Sequence, residues 1–142
     1  MALEYVDPQL GRDREFILDA VQRNFWGLNF ASPELRGDPE IVMAAVLRDG
    51  TALRYADREL RRDREFVMSA VRKDCFALAF ADSELQGDRG FVLAAVWRSG
   101  RGALRWAAPE LTRDLRMVLA AGLISLGAGL LNLVERFWRS LR

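Results

Sequence analysis

The sequence predicts an all-α protein: a solenoid-like array of five helical units of about 25 residues, followed by a long apolar C-terminal helix. Three observations carry that expectation. Leu3, Leu28, Leu53 and Leu78 recur every 25 residues, and Leu104 follows after 26. Asp13, Asp38, Asp63, Asp88 and Asp114 keep the same offset at positions where helices would start. Beyond them, the 18 residues from Met117 to Val134 carry no charge.

The repeat extends to other columns. Leu10, Leu35, Leu60, Leu85 and Leu111 form one, the aromatics Tyr5, Phe30, Tyr55, Phe80 and Trp106 a second, and Ala20, Ala45, Ala70, Ala95 and Ala121 a third. Each unit reads as two helical pieces. The first holds a Leu-x-aromatic-Ala pattern, as in Leu28-Asn29-Phe30-Ala31, and is too short to stand alone. A capping signal follows at Asp7, Ser32, Asp57 and Asp82, where a tight turn or single helical turn is expected. The second piece opens on the repeated aspartate. In Asp63-Arg64-Glu65-Phe66-Val67 the aspartate side chain is placed to accept an end amide, and Glu65 adds favourable charge near the positive helix end. Pro39 at the first helical position is well tolerated. Gly90 and Arg116 replace the glutamate in units four and five, so those starts are expected to be weaker. Phe66, Val67, Ala70 and Val71 fall on one broad apolar face, which neighbouring units should cover. Gly27, Gly50 and Gly100 stand where residues past a helix C-terminus are expected. The domain reading is a repeat body over residues 1–112 and an apolar helix over 113–142 that runs out of the fifth unit.

Composition narrows the function. The chain has 142 residues, 51% of them apolar, with 21 basic and 20 acidic side chains. That near-cancellation removes the broad positive field that draws a protein to nucleic acid, and no nucleic-acid partner is expected. Histidine is absent, which removes the commonest general base and metal ligand. The lone Cys75 can form neither an internal disulfide nor a multi-thiolate site, and is expected to be a partly buried small residue. No Ser-His, Cys-His or glycine-rich phosphate motif is present, and the repeated acids follow the structural period as caps. The arginines of the Asp57 to Glu65 run are balanced by acids and read as a solvated pair of helix starts. Trp26, Trp97 and Trp106 are expected to fill the core or an interface. No cleavable targeting peptide is visible, since the repeat pattern is under way by Leu3. These readings describe a non-enzyme that needs no catalytic residue, metal or cofactor.

The string Ala52-Leu53-Arg54-Tyr55-Ala56, with Glu59-Leu60 and Asp63-Arg64-Glu65-Phe66-Val67, resembles an uncharacterised family of short tandem helical repeats, a domain of unknown function. The resemblance runs from about Leu3 to Ala121, and members of that family abound in algae and other protists. It implies a helical architecture and carries over no catalytic residue. Gly122 departs from the pattern by standing where valine is usual.

The last helix is the main functional clue. Eighteen residues at about 1.5 Å rise cover roughly 27 Å, close to the hydrocarbon thickness of a bilayer. The expectation is a single-pass membrane helix, with Arg116 at the near interface and Phe137, Trp138 and Arg139 at the far one. Ala121, Ser125 and Gly129 line one face at helical spacing and suit close docking of another membrane helix. The expected partners are therefore other membrane protein subunits and lipid. Given the algal resemblance, a photosystem in a plastid thylakoid is the first candidate host. Chlorophyll or carotenoid would then contact this helix, with Asn132 and Glu135 as candidate pigment ligands. The functional expectation is an accessory scaffold subunit of a membrane complex. The alternative is a soluble protein-binding repeat module whose last helix is a hydrophobic cap.

Overall fold

The computed structural model describes residues 9–114, all helical where they are regular, with no strand among them. The α-helices are α1 (Arg14–Arg23), α2 (Pro33–Arg36), α3 (Pro39–Val46), α4 (Arg58–Arg62), α5 (Arg64–Lys73), α6 (Ser83–Gly87), α7 (Arg89–Ser99) and α8 (Pro109–Arg113). Between them run 3-10 segments at Leu10–Arg12, Phe25–Phe30, Gly50–Tyr55, Cys75–Phe80 and Arg101–Trp106. Each unit thus has three pieces rather than the two expected: a six-residue 3-10 segment, a short α-helix and a longer one. The Leu-x-aromatic-Ala piece is the 3-10 segment. The long helices α1, α3, α5 and α7 pack side by side as one layer, and the 3-10 segments stack against them as a second.

The core lies between those layers and repeats with the sequence. Ile17, Val42, Val67 and Val92 are fully buried, as are Val21, Val46, Val71 and Val96 to within 1%. From the 3-10 layer, Leu28, Leu53 and Leu78 are equally buried, each such leucine contributing about 1.5–3 kcal/mol. Small residues set the layer spacing. Ala45, Ala70 and Ala95 face the 3-10 column at 0% exposure, and Ala52, Ala77 and Ala103 meet them from the other side. The expected broad face holds at Val67, Ala70 and Val71, while Phe66 is half-buried at its edge.

Aspartate starts the long helices as expected. Asp13, Asp38 and Asp63 each accept from the amides two and three residues on, for example Glu65 and Phe66 at 2.9 Å. Asp88 accepts from Phe91 at 2.8 Å. The second signal is less uniform. Ser32 accepts from Leu35 and Asp82 from Glu84, but the Asp57 side chain makes no cap bond. A third capping column was not anticipated. Asn24, Asp49 and Asp74 accept from the amides of Trp26, Thr51 and Phe76 and so open the 3-10 segments.

Units are joined by one recurring backbone bond. The amides of Ser32, Asp57, Asp82 and Ala108 donate to the carbonyls of Gly11, Arg36, Arg61 and Gln86 in the preceding short helical turn, at 2.7–2.9 Å. An ionic link runs beside it. Arg14 reaches Asp38 and Glu40, Arg64 reaches Asp88, and Arg89 reaches Asp114, so the residue after one cap clamps the next unit's cap. In the second unit Pro39 occupies the clamping position, and among the described residues no ion pair joins units two and three.

Two glycines differ from expectation. Gly27 lies buried inside a 3-10 segment, and Gly50 opens one. A Cβ on Gly50 would sit 2.7 Å from the Asp74 carboxylate, whose oxygens hold the amides of Gly50 and Phe76. Gly100 does close a helix, with φ of 85°. It absorbs the extra residue of the 26-residue interval, since α7 has 11 residues where α5 has 10.

The expected membrane helix, Met117 to Val134, lies outside the described residues. So do Arg116, Ala121, Ser125, Gly129, Asn132, Glu135, Phe137, Trp138 and Arg139. Among the described residues no helix is long and apolar enough to cross a membrane.

Three outcomes follow for stability. Asp63→Ala should cost about 1 kcal/mol in urea unfolding, whereas Asp57→Ala, which removes no cap bond, should stay within about 0.5 kcal/mol. Gly50→Ala should destabilise by about 1–3 kcal/mol because Asp74 cannot yield without releasing an amide. Gly87→Ala, with nothing within 4 Å of the new methyl, should be neutral or stabilising by up to about 1 kcal/mol. The third is acid sensitivity. Burial opposes ionisation of Asp38, but the amides of Glu40 and Ile41 and the Arg14 guanidinium outweigh it and hold the carboxyl below its ordinary range. The hydrogen bond from Arg64, with the Phe91 amide, does the same for Asp88. Because both folded values lie below the unfolded ones, this stabilisation is complete above the ordinary carboxylate range and is lost as pH falls through the folded values. The urea midpoint should hold from about pH 7 to pH 5 and drop below about pH 4, with a shallower drop in Asp88→Asn.

Candidate functional site

Once the inward columns are assigned to core and caps, the outward residues of the 3-10 layer remain, and apart from the aromatic column Phe30, Tyr55, Phe80 and Trp106 they do not repeat. Among the described side chains, each segment turns its leucine toward the core and its second and fifth residues outward, with the aromatic sixth half-buried at the rim and, in the first segment, Phe25 beside it. The result across the stack is Phe25, Trp26, Asn29 and Phe30, then Thr51, Arg54 and Tyr55, then Phe76, Ala79 and Phe80, then Arg105 and Trp106.

These side chains touch from unit to unit. The Trp26 ring lies 6.1 Å from Tyr55 of the next unit and 5.8 Å from Phe25. Arg54 places its guanidinium 5.2 Å from the Tyr55 ring centre and 6.0 Å from that of Phe80, one unit on. Phe76 and Trp106 are 4.4 Å apart at 40°, and Arg105 lies 5.6 Å from the Trp106 ring. A strip of aromatic and guanidinium groups therefore crosses four units. Trp26 is 50% exposed and Phe76 43%, so large apolar faces remain in water. Aromatic rings and arginine are the side chains enriched at protein interfaces. The backbone beneath the strip is held by Asn24, Asp49 and Asp74, which cap three of its segments.

Other sequence candidates resolve differently. Of the tryptophans expected in the core or at an interface, Trp26 and Trp97 are each half exposed and Trp106 is half-buried. Trp97 lies on the outer side of α7, away from the strip's rings. Cys75 is half-buried as expected, with its sulfur against Gly102. The repeated acids are engaged as caps and clamps, and among the described residues no three His, Cys, Asp or Glu side chains converge to hold a metal ion. In the Asp57 to Glu65 run, Arg58, Arg62 and Arg64 reach acids of the following unit, with Arg62 to Glu84 at 2.9 Å. Arg61 does not follow them.

The strip was missed as a surface because only its aromatic column repeats, whereas Trp26, Arg54 and Phe76 stand at positions that change from unit to unit. The signal that could have located it is the Asn24, Asp49 and Asp74 column, whose spacing of 25 marks the start of each 3-10 segment.

No curated protein and no solved structure matches the chain. The family described as a domain of unknown function, DUF4116, matches over residues 1–36, 13–61 and 63–112, three stretches that step along the array, the first two overlapping. Together they span most of residues 1–112, the repeat body, and the chain belongs to that family.

Proposed function

We propose that the protein is a non-enzymatic scaffold subunit that holds neighbouring proteins through its 3-10 face and is attached to a membrane complex by its C-terminal apolar segment. The observation that carries the docking half is the exposed strip from Trp26 to Trp106. Its rings rest partly on the core and leave Trp26 and Phe76 in water, and with the guanidinium groups they reach across three unit boundaries. A rigid two-layer array presents such a strip with little ordering cost on binding. The attachment half rests on the uncharged Met117 to Val134 run, its aromatic and basic flank, and the small-residue face at Ala121, Ser125 and Gly129. The proposed host is an organelle membrane complex, a photosystem first, on the strength of the algal resemblance.

The rival is a soluble protein-binding module whose last segment is a hydrophobic cap, and the same exposed strip would serve it. An alkaline carbonate wash of native membranes separates the two. Retention in the pellet is the expected result, and complete release would replace the anchored reading with the soluble one. After mild detergent extraction the chain should migrate in a native gel with a larger complex, and in the double variant Trp26→Ala with Phe76→Ala that complex should be smaller by the neighbours the strip holds. Undiminished co-migration of that variant would remove the strip from the docking role.

A further inference from the structure

At the joint between units two and three the strip borders a groove of about 320 Å³ lined by Pro33, Arg36, Arg54, Tyr55, Asp57, Arg58 and Arg61. Its lining pairs four arginines with one aspartate. The backbone bond from the Asp57 amide to the Arg36 carbonyl, 2.8 Å long, ties together the elements that carry them. Arg36 comes from the end of α2 in unit two. Arg54 comes from the 3-10 segment of unit three, and Arg58 and Arg61 from α4.

Little within the chain neutralises these charges. Arg58 approaches Asp82 only at 3.8 Å and is largely exposed, and Arg54 lies over aromatic rings. Among the described residues Arg36 and Arg61 form no ion pair, and the Nε of each is buried without a hydrogen-bond partner there. A half-buried guanidinium left in that condition is costly unless an anion meets its remaining donors.

The cluster is not a by-product of the repeat. One unit earlier, the positions of Arg36 and Arg54 hold Gly11 and Asn29. One unit later, those of Arg54, Arg58 and Arg61 hold Ala79, Ser83 and Gln86. The arginines thus converge at one joint, and it is the joint where Pro39 removes the clamp present at the others.

We propose that this groove is an oxyanion site that takes one phosphate group, bridging Arg36 of unit two to Arg54, Arg58 and Arg61 of unit three. The planar forks of arginine match phosphate oxygens in paired hydrogen bonds, and a dianion answers several guanidinium groups at once. The bound group supplies the ionic link that this joint lacks. One joint wide, the site accommodates a single phosphate and not a polyphosphate backbone. The phosphate belongs either to a small soluble molecule or to a lipid headgroup. The site shares Arg54 and Tyr55 with the aromatic strip, and phosphate binding reads it without any protein partner.

The test uses the full chain in nonionic detergent, titrated by calorimetry at constant ionic strength with inorganic phosphate, with glycerol 3-phosphate and with short-chain soluble phosphatidic acid. The variant is Arg36→Gln with Arg61→Gln, since unit four carries Gln86 at that position and its amide bonds the Leu78 and Ala79 carbonyls at 2.9 Å. At least one phosphate should bind and raise the melting temperature. The double variant should weaken that binding about tenfold or more, and the exposed Arg48→Gln should leave it unchanged. Should the double variant melt early, Arg54→Gln, at an exposed side chain, serves in its place and should weaken binding several-fold. Tighter binding of the two soluble phosphates would assign a free ligand, and tighter binding of phosphatidic acid a headgroup. Absence of binding by all three, or equal binding by the arginine variants and the parent, would overturn the site.

Discussion

The whole architecture depends on the satisfaction of backbone amides at helix ends. Helices of three to eleven residues have nearly as many end groups as internal bonds, so a chain divided this finely would leave many donors without acceptors. Short side-chain acceptors at Asp13, Asn24, Ser32, Asp38, Asp49, Asp63, Asp74, Asp82 and Asp88 meet that requirement within the chain. The backbone bond between successive units closes the set. None of these helices would persist alone in water. Burial of Ile17, Val42, Val67 and Val92 against Leu28, Leu53 and Leu78 supplies the cohesion, and the caps make the short pieces compatible with it.

What could be read in advance follows from which contacts are periodic. The leucine, alanine and capping-aspartate columns are forced by packing and amide satisfaction, which are identical in every unit, so self-similarity exposes them. The 3-10 geometry of Phe25–Phe30 and its equivalents was not legible, because six residues cannot distinguish one helical hydrogen-bond pattern from another by hydrophobic spacing. Trp26 and Trp97 were expected in the core or at an interface, since repeat position alone does not say which way a side chain faces, and both stand half exposed. Asp57 illustrates a subtler limit. It has the right residue type at the right offset, yet its carboxylate makes no cap bond, and it lines a groove of arginines instead. The strip and the groove were the least visible features, since each, the strip's aromatic column apart, draws on residues that differ between units and meet only after stacking.

The joints of the array are built from common parts but not from equal ones. Three carry a guanidinium clamp on the next helix cap, and at the second Pro39 trades that clamp for a well-formed first helical turn. Substitutions that leave the fold intact are thereby free to differentiate one joint from another. The surface that results is specific although the scaffold beneath it is generic.

Gly100 has a consequence for how such an array keeps time with itself. One residue added inside a continuous α-helix rotates everything after it by roughly 100°, which would turn the following leucine away from the core. Here α7 takes up the added residue, and the reversal at φ 85° restores the angular phase before Arg101–Trp106 begins. Ala103 accordingly arrives fully buried, in step with Ala52 and Ala77. Phase errors are cancelled at the hinge where they arise, so a length change in one unit does not propagate along the stack.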